Sequence, residues 1–304
     1  GCGSPGRENF RVKDGIDDRP DDVEEDRMAT GKRGIVLECV VNVSEGRDAA
    51  RLAELANAAG TALLDVHRDP HHHRSVFSLA GTDAVRSLSE IAVRTLDLRQ
   101  HRGVHPRLGV VDVVPFVPLP GSVLTDAVAA RNAFGAWAAE RLGVPCFFYG
   151  PERSLPEVRR RAWKDLGPDA GPASPHPTAG AICVGARSEL IAYNVYLASR
   201  SLEEAKQVAA QVRGPHLRAL GLAVGDEVQV SMNLISPRLV GPAQAVDRIA
   251  AFARIDRAEL VGLLPQGVLQ AIAPWRWESL DLSPERTVEW RLQHPLGSTI
   301  PGGR

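Results

Sequence analysis

The order of the apolar segments between residues 35 and 118 constrains the fold of this chain more than any other feature. Two segments have apolar residues at helical spacing, one ending at Gly60 and one over 83–97. The predicted order is strand, helix, strand, strand, helix, strand. This is the split βαβ pattern of a ferredoxin-like sheet, so we predict an α/β (α+β) fold. The predicted strands are rich in β-branched residues and cover 35–43, 62–66, 75–81 and 110–118.

The rest of the chain continues the alternation of strands and helices. After a helix over 122–142 and a strand over 145–150, residues 151–178 are rich in Pro, Gly and Arg, and we expect an inter-domain linker there. A duplicated α/β unit is expected in the second half, although no residue-level repeat is visible. Its predicted strands and helices cover 181–186, 190–198, 201–213, 223–235 with a turn at GDE, 242–254, 259–265 and a helix start at 267–273.

The predicted domain boundaries follow from these segments. Residues 1–33 are rich in Gly, Pro and acids, and we expect a disordered N-terminal extension. The first unit with its linker covers 34–178, the second unit covers 179–296, and residues 297–304 are expected to be a frayed tail.

The composition excludes several functional classes. The 304 residues contain 36 Lys and Arg against 37 Asp and Glu, so there is no basic excess for nucleic acid or an anionic membrane. No apolar run reaches the roughly 18–20 residues of a membrane span, and no leader resembling a signal peptide is seen. Cys39, Cys146 and Cys183 lie in apolar runs without CxxC spacing, which is typical of reduced core thiols. We therefore expect a cytoplasmic protein.

The segment HRGVHPRLG, residues 101–109, places two histidines and two arginines directly before a predicted strand. Pro106 biases the backbone of His105 toward extended geometry, and Gly103 and Gly109 allow tight bends on either side. A histidine held in this way can take up and return a proton near neutral pH. From the residues alone, a catalytic loop and a solvated surface loop both stay open.

Four histidines within the segment DVHRDPHHHRSV, residues 65–76, raise the question of a metal site. Neighbouring side chains of an extended segment point to opposite sides, so His71, His72 and His73 cannot all bind one ion. A site built on His71, His73 and Asp69 stays the metal alternative, without any familiar ligand spacing. We expect no metal, and instead a polar loop that lines a cleft, with Arg74 binding a carboxylate.

Two further segments combine turn residues with polar groups. In NVSEG, residues 42–46, Ser44 is expected either to cap the next helix or to leave free N–H groups for an anion. In GPASPHPTAG, residues 171–180, the prolines and glycines suit a preformed ligand-binding loop and an ordinary linker equally well.

Taken together, these segments resemble a known family, the formiminotransferase domain of glutamate formimidoyltransferases. LECVVNVSEG is similar to the family's ECVPNFSEG, and HRGVHPRLGVVDVVPFVP is similar to H-x-G-x-HPRMGAxDVxPFxP. The resemblance continues through VPCFFYG, GPASPHPTAG, IAYNVYL, VQVSMNL and LVGLLP, and it covers about residues 36–273.

The resemblance implies two ferredoxin-like formiminotransferase subdomains with a groove between them. It implies transfer of a formimidoyl group from N-formimidoyl-L-glutamate to the co-substrate tetrahydrofolate, in histidine degradation. Small-molecule substrates and a homodimer are the implied partners. No stretch of the chain resembles the cyclodeaminase domain, so we do not expect channelling to a fused partner.

By the same resemblance, His105 matches the family's catalytic histidine and is expected to be the acid and base of the transfer. His101 is then a helper or a surface residue. The chemistry of the ligands adds the hypotheses that Arg74 or Arg107 binds carboxylates and that Asp69 or Glu45 holds the cationic amidine. The family's folate-contacting segment matches Gly171, Pro172, Ala173, Ser174, Pro175, His176, Pro177, Thr178, Ala179 and Gly180.

Three alternatives to this function stay open in the sequence. His67 stands where the vertebrate enzymes have an aspartate, which leaves open a family member that transfers a formimidoyl or a formyl group with a different amino-acid donor or acceptor. The second alternative is a folate-binding protein without turnover, although the retained His105 favours an enzyme. The third is a metal-dependent hydrolase built on the histidine cluster.

Overall fold

The structure is a computed structural model and describes residues 36–103 and 107–297. The extension predicted at 1–33 lies outside the described residues, as does the predicted tail after Gly297.

The first part of the described chain contains the ferredoxin-like unit that the sequence predicts. The elements in chain order are β1 Leu37–Val43, α1 Ala49–Ala59, β2 Leu63–Asp69, β3 Arg74–Ala80, α2 Asp83–Thr95, β4 Val111–Pro118, α3 Leu124–Trp137, β5 Cys146–Tyr149, α4 Leu155–Arg161 and β6 Ile182–Ala186. Strands β2, β3, β1 and β4 are neighbours in that order, each pair antiparallel, with α1 and α2 in the two crossover connections.

Helix α1 shows how local sequence sets these bounds. The side chain of Asp48 accepts hydrogen bonds from two backbone N–H groups of the first turn, and Gly60 ends the helix with a φ of 58°. The capping role expected for Ser44 is therefore wrong. Its hydroxyl instead donates to the carbonyl of Gly109 at 2.8 Å, which ties the end of β1 to the start of β4.

Strand β6 corrects the predicted division of the chain. The sequence assigned 181–186 to the second unit, but β6 lies between β4 and β5 and pairs with both in parallel. A continuous apolar run suits an interior parallel strand without indicating the sheet to which it belongs. The linker predicted at 151–178 is also wrong, because this segment contains α4 and packs Val158 and Ala162 against the first sheet.

The second sheet repeats the topology of the first unit, which confirms the expected duplication at the level of the fold. The elements are β7 Ile191–Leu197, α5 Leu202–Val212, β8 Leu217–Val224, β9 Glu227–Leu234, α6 Pro242–Ala250, β10 Ile255–Val261, α7 Gln266–Gln270 and α8 Val288–Gln293. The strand order is β10-β7-β9-β8 with antiparallel neighbours, and α5 and α6 take the places of α1 and α2. The sequence missed β8 as a separate strand.

Each sheet buries one face against its own helices and therefore has its own apolar core. A smaller apolar cluster of Leu64, Leu263 and Val288 joins β2 of the first sheet to the segments after β10. This cluster connects the two sheets at the edge where β2 and β10 approach each other.

Candidate active site

The face of the first sheet opposite α1 and α2 carries polar side chains around β2 and β3. Val76 pairs with Asn42 on one side and with His67 on the other, and Arg74 pairs with Asp69. Directly opposed residues lie on the same face of a sheet, and so do residues two apart in a strand. These side chains therefore share one face, called the inner face below.

The inner face of the second sheet is also polar and approaches the first. Asn194 pairs with Glu259, and its Nδ2 donates to Oε2 of Glu259 at 2.9 Å. The hydroxyl of Tyr196 donates to the same oxygen at 3.4 Å. Oε1 of Glu259 lies 3.8 Å from Nε2 of His67. The two inner faces meet where His67 of the first sheet lies beside Glu259 of the second. The polar side chains that the two faces carry are together called the polar interface below: Asn42, His67, Asp69, Arg74, Asn194, Tyr196 and Glu259.

Three arginines lie around the buried carboxylate of Asp112, which is 2% exposed. Nη2 of Arg159 donates to Oδ2 of Asp112 at 2.6 Å. Arg74 and Arg107 interact electrostatically with the same carboxylate. Burial lowers the pKa of Arg74 to about 10 and also lowers the pKa of Arg107, while Asp112 opposes both shifts. All three guanidinium groups are cationic at neutral pH. Asp112 and Asp69, the second of which lies near Arg74, supply two negative charges against these three positive ones. The remaining positive charge suits a carboxylate ligand.

Glu45, His73 and His101 form a compact cluster after the end of β1. The two imidazole rings stack with centroids 4.2 Å apart, and Nε2 of His101 donates to the carbonyl of His73 at 2.8 Å. Nδ1 of His73 accepts from the N–H of Gly46 at 3.1 Å and lies 3.5 Å from Oε1 of Glu45. Burial lowers the pKa of both imidazoles. The charge of Glu45 opposes this shift in His73, and the hydrogen bond to the His73 carbonyl opposes it in His101, but both effects are smaller. Both rings are therefore mainly neutral at pH 7.

Two glycines allow three sequence motifs to meet at this cluster. A Cβ on Gly103 would lie 2.6 Å from the carbonyl oxygen of His72 and 2.9 Å from the ring of His101. A Cβ on Gly46 would lie 2.4 Å from the carbonyl oxygen of Asp69. Real side chains do not fit at such distances, so the NVSEG, HHHR and HRG segments pack together only with glycine at these positions.

The three consecutive histidines do not converge on one point. Nδ1 of His72 hydrogen-bonds to Oδ2 of Asp69, while His73 belongs to the cluster with His101. Oδ1 of Asp69 accepts from the backbone N–H groups of His71 and His72 at 2.8 and 2.9 Å. Burial acts to raise the pKa of Asp69, but these bonds overcome it and lower the pKa to about 2. Asp69 therefore organises the turn between β2 and β3.

Within residues 36–103 and 107–297, no group of three or more His, Cys, Asp or Glu side chains is arranged to hold a metal ion. The metal-free site expected from the sequence stays a prediction.

The 171–180 segment packs against the 101–109 segment through a pair of glycines. Gly109 and Gly180 form an isolated antiparallel bridge. A Cβ on Gly109 would lie 2.3 Å from the carbonyl oxygen of Ala181, and one on Gly180 would lie 2.2 Å from that of Leu108. Residues 171–175 are exposed, whereas Ala179 and Gly180 are buried. The segment is therefore a surface loop that is anchored at its carboxyl end beside the HRGVHPRLG segment.

The structure brings together most of the residues that the sequence selects. Glu45, Asp69, Arg74 and Arg107 lie around one end of the polar interface, and the 171–180 loop is anchored next to it through Gly109. His105 lies outside the described residues, while its neighbours Gly103 and Arg107 are described. His101 is 8% exposed, so the surface alternative for it is wrong.

Sequence reasoning missed Asp112, Arg159 and Glu259. Asp112 could have been found, because it lies inside the apolar run VVDVV. An acidic residue in such a run is expected to be buried, and a buried charge needs a partner. Arg159 comes from the segment interpreted as a linker, and Glu259 comes from the other sheet. Their local sequence contains no signal that connects them to the site.

Comparison with known proteins identifies the family. Residues 36–187 match the family model of the N-terminal subdomain of the formiminotransferase domain. The chain belongs to the formiminotransferase family. The match ends directly after β6, in agreement with the position of this strand in the first sheet. It also includes the 101–109 and 171–180 segments, so the resemblance seen in the motifs is confirmed.

Curated relatives in this family extend the likeness over both sheets. A glutamate formimidoyltransferase of Streptococcus pyogenes serotype M1 is 32% identical over 276 residues, which cover 79% of this chain and 92% of the relative. One of Thermoplasma acidophilum is 33% identical over 285 residues, with 79% and 91% covered. A formimidoyltransferase-cyclodeaminase of Dictyostelium discoideum is 32% identical over 279 residues, which cover 78% of this chain and 52% of that protein.

Proposed function

We propose that this chain is a glutamate formimidoyltransferase, which transfers the formimidoyl group of N-formimidoyl-L-glutamate to tetrahydrofolate. The products are 5-formimidoyltetrahydrofolate and L-glutamate, and the reaction belongs to histidine degradation. The observation that carries this proposal is the packing of Leu108 and Gly109 against Gly180, at the carboxyl end of the 171–180 loop. The two relatives with this name match the chain over about nine tenths of their own length.

His105 is proposed as the acid and base of the transfer. The acceptor amine loses a proton as it attacks the amidine carbon, and the departing glutamate nitrogen gains one. An imidazole with a pKa near neutrality can perform both proton transfers in turn. The described neighbours support this role, because Gly103 is packed between His72 and His101, and Arg107 donates to the carbonyl of Gly103.

The arginines around Asp112 are proposed to bind carboxylates of the substrates. Both glutamate and the folate tail carry such groups, and guanidinium groups bind them through paired hydrogen bonds. Arg74 and Arg107 were selected from the sequence, and Arg159 joins them in the structure. The 171–180 loop is proposed to contact the folate, since its residues 171–175 are exposed and its carboxyl end is anchored at Gly109.

The two carboxylates proposed from the sequence for the amidine are both engaged in the structure. Asp69 accepts hydrogen bonds from His71 and His72. Oε1 of Glu45 accepts from the backbone N–H groups of Arg47 and Asp48 at 2.7 and 2.9 Å. These contacts favour a role in shaping the site over a role in holding the cation.

The sequence also predicts a homodimer and a cytoplasmic location, and both stay predictions. No helix within the described ranges is long and apolar enough to cross a membrane.

The proposed function is tested by following 5-formimidoyltetrahydrofolate by absorbance with the purified chain. Formimidoylglutamate, formimidoylglycine, formimidoylaspartate and formylglutamate are compared as donors, each with and without tetrahydrofolate. We expect turnover that requires the folate and the highest kcat/KM with formimidoylglutamate. Absence of a folate product with this donor contradicts the proposal, and a higher kcat/KM with another donor reassigns the substrate.

A further inference from the structure

Glu259 is a carboxylate that is held in place by its own sheet. Its Oε2 accepts hydrogen bonds from Asn194 at 2.9 Å and from Tyr196 at 3.4 Å, so the orientation of the side chain is fixed by two donors on β7. Its Oε1 lies 3.8 Å from Nε2 of His67, which is longer than a hydrogen bond. The side chain is 31% exposed, so the carboxylate side chain is accessible from solution.

The nearby cation does not neutralise this carboxylate. Arg257 lies two residues before Glu259 on β10, but its guanidinium forms a bidentate pair with Glu227 at 2.6 and 2.9 Å. The same guanidinium stacks on the ring of Tyr196 at 3.6 Å. The guanidinium of Arg257 is therefore engaged by Glu227 and by the ring of Tyr196.

Other carboxylates around the polar interface have stronger contacts. Asp112 is paired with Arg159, Asp69 is bound by the histidine turn, and Oε1 of Glu45 is bound by two backbone N–H groups. Glu259 differs from these three because one of its oxygens faces the opposite sheet across a gap, with no hydrogen bond to a described residue.

We propose that Glu259 binds the amidinium group of the donor and so selects a formimidoyl over a formyl donor. This inference rests on the proposed function. An amidinium is planar and cationic and presents two N–H groups, which match the paired oxygens of a carboxylate. Oε1 receives one of these N–H groups in place of the weak contact with His67, while Asn194 and Tyr196 keep the carboxylate oriented. A neutral formyl group supplies no charge and presents an acceptor oxygen to the same carboxylate, so it is disfavoured.

The test compares a cationic and a neutral ligand in the wild type and in Glu259→Gln. Glutamine keeps the size of the side chain and its amide oxygen still accepts from Asn194 and Tyr196, but the negative charge is lost. We expect KM for formimidoylglutamate to rise about 10- to 100-fold, as for loss of a hydrogen bond to a charged group. The inhibition constant of N-formyl-L-glutamate, measured against formimidoylglutamate, is expected to stay within about twofold or to fall.

Two outcomes overturn the inference. One is an unchanged KM for formimidoylglutamate, and the other is an equal rise of both constants, which indicates loss of structure. Glu227→Gln is the matched control, since it removes a carboxylate of the same sheet that pairs with Arg257, and it is expected to leave the ratio of the two constants unchanged. If Glu259→Gln does not fold, Glu259→Asp carries the test. Aspartate keeps the charge, but its shorter side chain holds the carboxylate farther from the donor. KM for formimidoylglutamate must therefore rise severalfold, while the inhibition constant of N-formyl-L-glutamate stays constant.

Failure of the proposed function gives a different result. A wild-type chain that does not form 5-formimidoyltetrahydrofolate contradicts the proposed function itself. An active wild type whose Glu259→Gln variant keeps the same ratio of constants contradicts the role of Glu259 alone.

Discussion

At the residue scale, Glu38 shows how burial between the two sheets affects an acidic group. It is 8% exposed and lines a pocket with Val117, Leu263 and Val288. Burial raises its pKa from 4.5 to about 7, although Arg187 opposes the shift. Between these two pH values the folded protein binds more protons than the unfolded chain at this site. The contribution of Glu38 to stability is therefore fully present below pH 4.5 and is lost as pH rises through 7.

Glu38→Gln is predicted to stabilise the protein at pH 8 by up to about 3 kcal/mol, since the glutamine has no charge to bury. The gain is expected to disappear near pH 4, where the wild-type carboxyl is already neutral. Urea unfolding of both proteins at pH 4 and pH 8 measures this difference. Glu140→Gln changes an exposed glutamate and is the control. An equal effect of Glu38→Gln at both pH values contradicts the prediction.

The residues of the candidate site were predictable only in part. HRGVHPRLG and GPASPHPTAG contain enough local signal to select His105 and the 171–180 loop by resemblance. Asp69 was selected for its charge. The sequence does not show that its carboxylate is hydrogen-bonded to two backbone N–H groups and to the ring of His72. Glu259 and Arg159 reach the site through tertiary packing, which no local pattern encodes.

At the scale of elements, the contact between the 101–109 and 171–180 segments depends on glycine. Gly109→Ala is predicted to push the two loops apart, because the new Cβ would lie 2.3 Å from the carbonyl oxygen of Ala181. We expect a rise of severalfold or more in KM for tetrahydrofolate and a loss of about 1–3 kcal/mol in stability, as for overpacking in a tight site. Steady-state kinetics with varied folate and thermal unfolding measure the two effects.

The control is Gly214→Ala, because a Cβ at Gly214 meets no atom within 4 Å. This variant is expected to keep the wild-type KM for tetrahydrofolate. A Gly109→Ala enzyme with wild-type folate kinetics contradicts the structural role given to the glycine pair.

The strands and helices followed from sequence where periodicity and end signals agree. Helix α1, with Asp48 before it and Gly60 after it, lies within the predicted segment. Strand β6 was found as a strand but assigned to the wrong sheet, because a run that is apolar on both faces does not identify its neighbours. Strand β8 was missed, since Arg218 and Gly221 interrupt its apolar pattern.

At the scale of the whole molecule, an apolar cluster connects β2, which carries His67, to the segments after β10. Leu64→Ala removes a side chain that is 1% exposed and contacts the Leu263 and Val288 cluster. We predict a loss of about 2–5 kcal/mol in stability, together with a higher KM for formimidoylglutamate, because His67 lies on the same strand. Urea unfolding and steady-state kinetics check the two effects.

Leu239→Ala is the control for this substitution, since Leu239 is 66% exposed. It is expected to change stability by less than about 0.5 kcal/mol. Equal effects of the two substitutions would mean that the cluster does not hold the sheets together.

The order of the whole fold was predictable in its first half because four strands and two helices follow one another without insertion. The duplication in the second half was predictable from its alternation of strands and helices. The structure shows it as the same strand order in both four-stranded units. The boundary between the units was not predictable from composition. The Pro- and Gly-rich segment 151–178 looks like a linker, but it covers the first sheet and leads into β6.

The proposed function depends on acid–base catalysis by His105 at a site that also binds folate. The most direct test measures turnover of formimidoylglutamate and equilibrium binding of tetrahydrofolate by His105→Ala, with His294→Ala as a control at an exposed histidine. We predict that kcat of His105→Ala falls by about 100- to 10,000-fold, as on losing an acid–base group, while folate affinity stays within about twofold. Undiminished turnover in this folded variant would contradict the account.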